Sequence, residues 1–562
     1  METSVLSSPP EPSPNSQELS PPHENEMRKW VESASIALGI TTLYLLWLVH
    51  PIATPGNDAV YHWSSSASQL YLPVALDFCL VWLLLTPLFL FARRPGRLRV
   101  AVWAVTIFSI PRIALANWAY LSAAQPSRSL SIALLAVALV GPFLIIVFWR
   151  PAFKAKFETS IALVSTLLIF ISLSGIAILG ELAWCGWQAR SLNTQMPLHR
   201  AVANRSANAG RPRIIWIVFD ELSYDQLYER RFQGLQLPAF DQLAAQATVF
   251  THVIPAGIRT EQVLPSLMTG DRVDGISVSD DWQHLSIHNP DTKTWQQFDD
   301  HDTVFQDALN AGYSTAVAGW YNPYCRIMPA VLDHCFWALE ALGPNGLVPN
   351  ATTEANMLAP LRYLAESQSV HRFLPLVTRI PAFSGSGSEP HISDYRNLLD
   401  AADKVLDDRS EDFALLHLPI PHPGGIYNRA TGQFALRHSK YIDNLALADK
   451  CLAHLRAKLE QTHEWDSSTF VIIGDQSWRT TLLWRSATDW TQEDEAASQG
   501  GTFDDRPAYI VKLPQQTVGT RIEAPFAAVN TRKLLDALLT RNIRSADDLS
   551  TWTSKDISVK GN

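Results

Sequence analysis

No histidine follows His463 in this 562-residue chain, its five cysteines are scattered, and its first 25 residues hold almost no large apolar side chain. Each shortage excludes something. Cys79, Cys185, Cys325, Cys335 and Cys451 form no metal-type cluster. Only Cys325 and Cys335 lie close together in a stretch where oxidation is permitted, and they are expected to form a disulfide. A formal charge of −9 leaves no overall basic field, which argues against nucleic acid as a partner. The Pro-, Ser- and Glu-rich start cannot bury enough surface to offset its ordering entropy, so residues 1–30 are expected to be a disordered tail. A secretory signal pattern is missing as well, because the first apolar run begins beyond residue 30 and others follow it.

Long apolar runs, by contrast, are plentiful. Five of about 20 residues, at roughly 33–52, 72–92, 100–120, 130–149 and 159–182, are each long enough to cross a bilayer. Arg93, Arg94, Arg97 and Arg99 follow the second run, and Arg150, Lys154 and Lys156 follow the fourth; the other two turns carry Asp58 and a lone Arg128. The positive-inside rule then places the N-terminus in the cytoplasm of a cell (inner) membrane protein. The expected organisation is a tail (1–30), a five-span domain (31–183), a juxtamembrane linker (184–212) and an extracytoplasmic domain (213–562). Asp77 and Arg112, at similar depth in the second and third spans, are expected to pair, as intramembrane charges generally do.

From Arg213 onward strands alternate with helices. IIWIVF (214–219) reads as a strand buried on both faces, helical pattern follows over 238–249, and further pairs occur at 302–311 with 314–318 and 439–460 with 469–473. The fold class is therefore α/β: a five-helix transmembrane bundle followed by a doubly wound, mostly parallel sheet. Asp220 and Glu221 end one strand, and Asp475 and Gln476 end another, where ligands collect in such sheets. Thr260 stands in a Gly-bearing turn before the helical VLPSLMTG, a favourable place for an anionic oxygen. His417 and His422 follow a short apolar strand, in a Pro/Gly-rich loop.

The order of these pieces resembles the sulfatase and alkaline-phosphatase superfamily across roughly residues 211–540. LPAFDQLAAQATVFTH is similar to the segment that leads to the family's nucleophile, and Thr269 of LMTG points back nine residues to Thr260. Pro265, five residues after Thr260, and HLPIPHPG, with His417 and His422 five apart, are similar to phosphoethanolamine transferases. Five spans ahead of an external domain also resemble the lipoteichoic-acid-synthase-like enzymes. The resemblance implies an alkaline-phosphatase-like sheet, Thr260 as nucleophile, and Asp220, Glu221, Thr260, Asp475 and Gln476 as metal ligands. It further implies catalytic roles for His422 and His417. The expected activity is metal-dependent phosphotransfer or phosphodiester cleavage on a membrane lipid or lipid-linked headgroup, with a glycan as a candidate acceptor.

Three departures shape that expectation. Thr260 stands where formylglycine sulfatases need Cys or Ser, and Leu264 replaces their Arg. GWYN (319–322) lacks the Lys of the sulfatase GKWH-like segment. Gln476 replaces the His of the zinc enzymes, whose further downstream His is also missing. Oxygen donors suit calcium, magnesium or manganese, so one such cation is expected rather than two zincs. Two alternatives stay open: a hydrolase of sulfate or phosphate esters, and a degraded site that only binds headgroup or glycan in envelope assembly.

Overall fold

The computed structural model describes residues 22–53, 61–122, 127–147, 151–191, 211–279, 284–341, 346–366, 388–487 and 490–556. Residues 1–21 of the expected tail, 192–210 of the expected linker, and Asp58 and Arg150 among the topology charges lie outside that set. The chain falls into two compact units: residues 1–49 with 75–180, and residues 50–74 with 181–562.

Among the described residues, five helices are long and apolar enough to cross a membrane: Pro22–Ala53, Ala67–Phe91, Arg97–Leu121, Arg128–Val147 and Pro151–Gln188. The first begins inside the stretch read as tail. In the first unit these helices share a core that includes Ile36, Phe89, Trp103 and Phe157. Arg93 pairs with Glu32 and Arg99 with Glu158, so two of the arginines that follow the second apolar run make ion pairs. The first and fifth spans approach backbone to backbone at Gly39, where a Cβ would lie 2.1 Å from the Leu168 carbonyl oxygen, the close contact that small residues permit in membranes. The expected Asp77–Arg112 pair is corrected: no ion pair joins them. Both side chains are half-buried, and the third span packs chiefly on the fourth.

The second unit is organised by an eight-stranded sheet. In chain order its strands are β1 (Ile214–Asp220), β2 (Thr248–Phe250), β3 (Thr315–Trp320), β4 (His334–Ala338), β5 (Phe413–Pro421), β6 (Thr469–Gly474), β7 (Tyr509–Lys512) and β8 (Thr520–Ile522). They lie in the order β8-β2-β7-β6-β1-β5-β3-β4, parallel except at β7. The α/β expectation therefore holds, with one antiparallel strand inserted. β1, β5 and β6 are buried at every position, as their unbroken apolar runs require between helical layers. The helix expected over 238–249 stops at Ala244, and Thr248–Phe250 is strand. Cys325 and Cys335 form the expected disulfide, joining a helical turn (Tyr324–Ile327) to β4.

Residues 50–74, from the end of the first span into the start of the second, belong to this second unit. Tyr61 and Trp63 are 2% and 1% exposed. Their carbonyls accept from the buried Arg326 guanidinium at 2.6 and 3.0 Å, and Ser65 Oγ lies 3.0 Å from Asn350 Oδ1.

Candidate active site

Three neighbouring parallel strands deliver the chemistry to one end of the sheet. Phe219 is level with Gly474 and Asp220 with Pro421, so Asp220, the Asp475-Gln476 pair and His422 all emerge where β1, β6 and β5 stop. A Cβ on Gly474 would lie 2.4 Å from the Leu222 carbonyl, so only glycine lets the turn after β1 close against Asp475. That turn uses Glu221 at φ 61°, with its N–H donating to Asp475 Oδ1 at 2.9 Å and its carbonyl accepting from Tyr441 at 2.8 Å. Thr260 is the first residue of the helix Thr260–Thr269, at the positive end where backbone N–H groups are free.

The Thr260 hydroxyl lies 2.9 Å from Asp475 Oδ2 and 3.2 Å from Asp220 Oδ2, and the Gln476 amide nitrogen approaches it at 3.5 Å. One hydroxyl proton can serve only one carboxylate, so the second faces oxygen lone pairs. Burial, then Asp475 and Glu221, raise the Asp220 carboxyl well above its usual range, and burial pushes Asp475 up to about 6. Asp220 Oδ1, Gln476 Oε1 and His417 Nε2 are buried with no hydrogen-bond partner among the described residues. Carboxylates converging on a hydroxyl beside orphaned donor atoms fit a cation: Asp220, Asp475 and His417 each offer an atom within 4.8 Å of the others, with the Thr260 hydroxyl and Gln476 amide alongside. Four oxygens and at most one imidazole make a donor set suited to a hard ion.

His417 differs from its expected place. It lies within β5 rather than in the loop, fully buried, with Nδ1 2.8 Å from the Tyr324 hydroxyl and Nε2 4.0 Å from Asp220 Oδ2. Burial pushes its imidazole down to about 3, so it is neutral. His422, one residue past β5, packs between Trp320 and Trp484, at 5.3 and 5.1 Å between ring centroids. Its Nδ1 lies 2.6 Å from the Pro423 carbonyl, an N–H donation that leaves Nε2 as a lone pair. Burial first, then His391 and Arg479, hold it far below the usual histidine range.

Glu221, expected as a ligand, is engaged elsewhere. Arg479 binds its carboxylate through Nε at 2.8 Å and through a second guanidinium nitrogen, and Trp484 Nε1 donates to both oxygens at 2.9 Å. A second group of candidate ligands, Asp220, Glu221 and His422, thus has a guanidinium in place of a free carboxylate. Arg479, Trp484 and Tyr324 were not singled out from the sequence. The only local signal was the position of Arg479, four residues beyond Asp475.

No curated protein sequence is significantly similar to the chain. Among solved structures, Ps i-CgsB in complex with k-i-k-neocarrahexaose is 16% identical, covering 61% of this chain and 76% of its own at TM-score 0.38. The phosphonate monoester hydrolase of Agrobacterium radiobacter is 15% identical, covering 59% and 74% at TM-score 0.36. A protein of the alkaline phosphatase superfamily from Vibrio parahaemolyticus is 13% identical, covering 61% and 72% at TM-score 0.35. The Sulfatase family model matches residues 212–480, from the start of β1 through Arg479. The segment that carries Asp220, Thr260, His417, His422 and Asp475 is a Sulfatase-family domain.

Proposed function

We propose that this domain transfers a phosphoryl group from a lipid-linked phosphodiester through Thr260. The observation that carries the reading is the Thr260 hydroxyl at a helix N-terminus, between Asp220 and Asp475 and beside orphaned donor atoms. A divalent cation held by Asp220, Asp475, Thr260 and Gln476 would lower the hydroxyl's pKa and neutralise charge developing on the phosphoryl oxygens. Asp475, at 2.9 Å, takes the hydroxyl proton. An O–P bond forms at Thr260 Oγ1 while the bond from phosphorus to the leaving group breaks, the departing alkoxide taking a proton from water; when the phospho-threonine is resolved, Asp475 returns its proton to Thr260 Oγ1 and His422 gives up the one it takes to water. Neutral His422 then fits the second half-reaction, its Nε2 accepting the proton of the incoming sugar hydroxyl or water as the phospho-threonine is resolved. His417, held by Tyr324, supports the carboxylates. Thr260 retains a hydroxyl and cannot supply formylglycine, which favours phosphate over sulfate esters.

The test uses the full chain with headgroup-labelled phospholipid. Thr260→Ala is expected to lower label transfer or release by more than about 1000-fold, and the parent is expected to yield phospho-Thr260 on rapid quenching. Equal turnover by variant and parent would exclude the mechanism. Binding of headgroup without turnover by either protein would favour the degraded, binding-only alternative.

A further inference from the structure

The rim of the Thr260 site is apolar where a surface bathed in water is normally polar. Among the described residues from 211 onward, the exposed large apolar side chains are Trp295, Leu358, Leu361, Val518 and four that flank Thr260. Those four are Ile254 and Ile258, which lead into its helix at 44% and 53% exposed, and Leu482 and Leu483, at 54% and 45%. Arg479 joins the two groups: its Nη1 donates to the Ile258 carbonyl at 3.1 Å, and its own carbonyl accepts from Leu483 N–H at 3.0 Å. The leucines are therefore borne on a tight turn beside Ile258, on the same side as the Glu221–Arg479–Trp484 cluster. Two cations border them. Arg259 has a side chain 65% exposed with only a 3.7 Å approach to Glu261, and Arg485, 47% exposed, pairs with Glu495 at 2.6 Å.

Apolar side chains bordered by arginines are the pattern of a surface that sits in the headgroup layer, with the aliphatic groups in the acyl boundary and the cations on phosphates. A polar protein partner would leave those aliphatic groups unmatched, and five membrane-length helices on the same chain keep a bilayer within reach. We propose that Ile254, Ile258, Leu482 and Leu483, with Arg259 beside them, form a lip that contacts an anionic lipid surface and presents the headgroup to Thr260. This inference rests on the lipid-linked reading above.

The experiment places the full chain in nanodiscs of phosphatidylcholine with 30 mol% phosphatidylglycerol, chosen as a fixed composition. Leu483→Cys, and separately Ile258→Cys, are labelled with an NBD fluorophore in a Cys79→Ala background and quenched with doxyl-labelled lipid. Val518→Cys is the reference; it precedes β8, at the opposite ends of the strands from the site, and is 70% exposed. Quenching at least about twofold stronger at positions 483 and 258 than at 518 is expected, because doxyl groups quench only over short range. Equal quenching at all three positions overturns the proposal, and so does quenching at 483 or 258 that appears only when a soluble protein fraction is added. A second arm uses Leu482→Asp/Leu483→Asp and compares turnover of vesicle phospholipid with that of bis(p-nitrophenyl) phosphate. The ratio is expected to fall at least about fivefold, roughly what loss of 1 kcal/mol of lipid contact gives; an unchanged ratio counts against the lip. Quenching needs no turnover, so a catalytically silent parent would defeat the phosphotransfer reading while leaving the lip tested.

Discussion

At the scale of single residues, the site is governed by how buried charges are matched. Glu221 is fully buried, and Arg479 is its cationic partner; the Trp484 indole adds a second donor. Removing the cation alone strands a carboxylate where burial already raises its pKa. Arg479→Met is therefore expected to destabilise the protein by about 3–5 kcal/mol, and Glu221→Gln in the same chain to recover part of it. Chemical denaturation of parent, single and double variants in detergent checks this; equal stability of the single variant and the parent would show that the pair is not a buried anchor. Asp220 and Asp475 were legible in the sequence because each ends an uninterrupted apolar strand, and Thr260 because a family-like phrase surrounds it. Arg479 on Glu221 was not legible. The partners are 258 residues apart, and neither periodicity nor composition marks a pairing that the sheet alone creates.

At the scale of elements, the strands were easier to read than their ends. Pro419 and Pro421 made LHLPIP look like the start of a loop, yet the residues continue β5 to Pro421, which is why His417 lies within the sheet. Thr248 and Val249 were read as helix because they continue the helical pattern before them; pairing with β7 and β8 decided otherwise. The antiparallel strand β7 carries its own pH signature. Lys512 is buried, its ammonium within 3.1 Å of the Trp465 carbonyl and facing the Trp465 and Phe470 rings. Asp466 and Arg456 are the charged groups that act on it; burial, reinforced by Arg456, outweighs Asp466 and pushes its pKa down to about 8. With the folded value below the unfolded one, the unfolded chain binds more protons between about pH 8 and 10.5. The Lys512 contribution is thus present above that window and lost as pH falls through about 8. Melting temperature is expected to rise across this window in the parent and to rise less in Lys512→Met; parallel profiles would refute the assignment.

At the scale of the whole molecule, the site resembles a cation-binding protein's more than a set of neutral partners. Three acidic residues, Asp220, Glu221 and Asp475, are buried together against one guanidinium. A cation that binds only the folded state should raise stability by about 2.7 kcal/mol at a hundred times its dissociation constant. Manganese, magnesium or calcium is expected to raise the melting temperature of chelator-treated protein, and Asp220→Asn with Asp475→Asn to abolish the effect. Calorimetric titration giving two tightly bound zincs per chain would instead show that Gln476 does not set the ion class.

The segment Tyr61–Ser65 gives the molecule an order of assembly. Its carbonyls are bound by Arg326, whose own position in the chain lies 265 residues beyond Tyr61. During synthesis this short stretch is made long before the sheet that will bury it, and Tyr61 and Trp63 must wait with their aromatic surfaces uncovered. A fragment beginning at the end of the fifth span would contain every residue of the Thr260 site and still lack the piece that closes over Arg326.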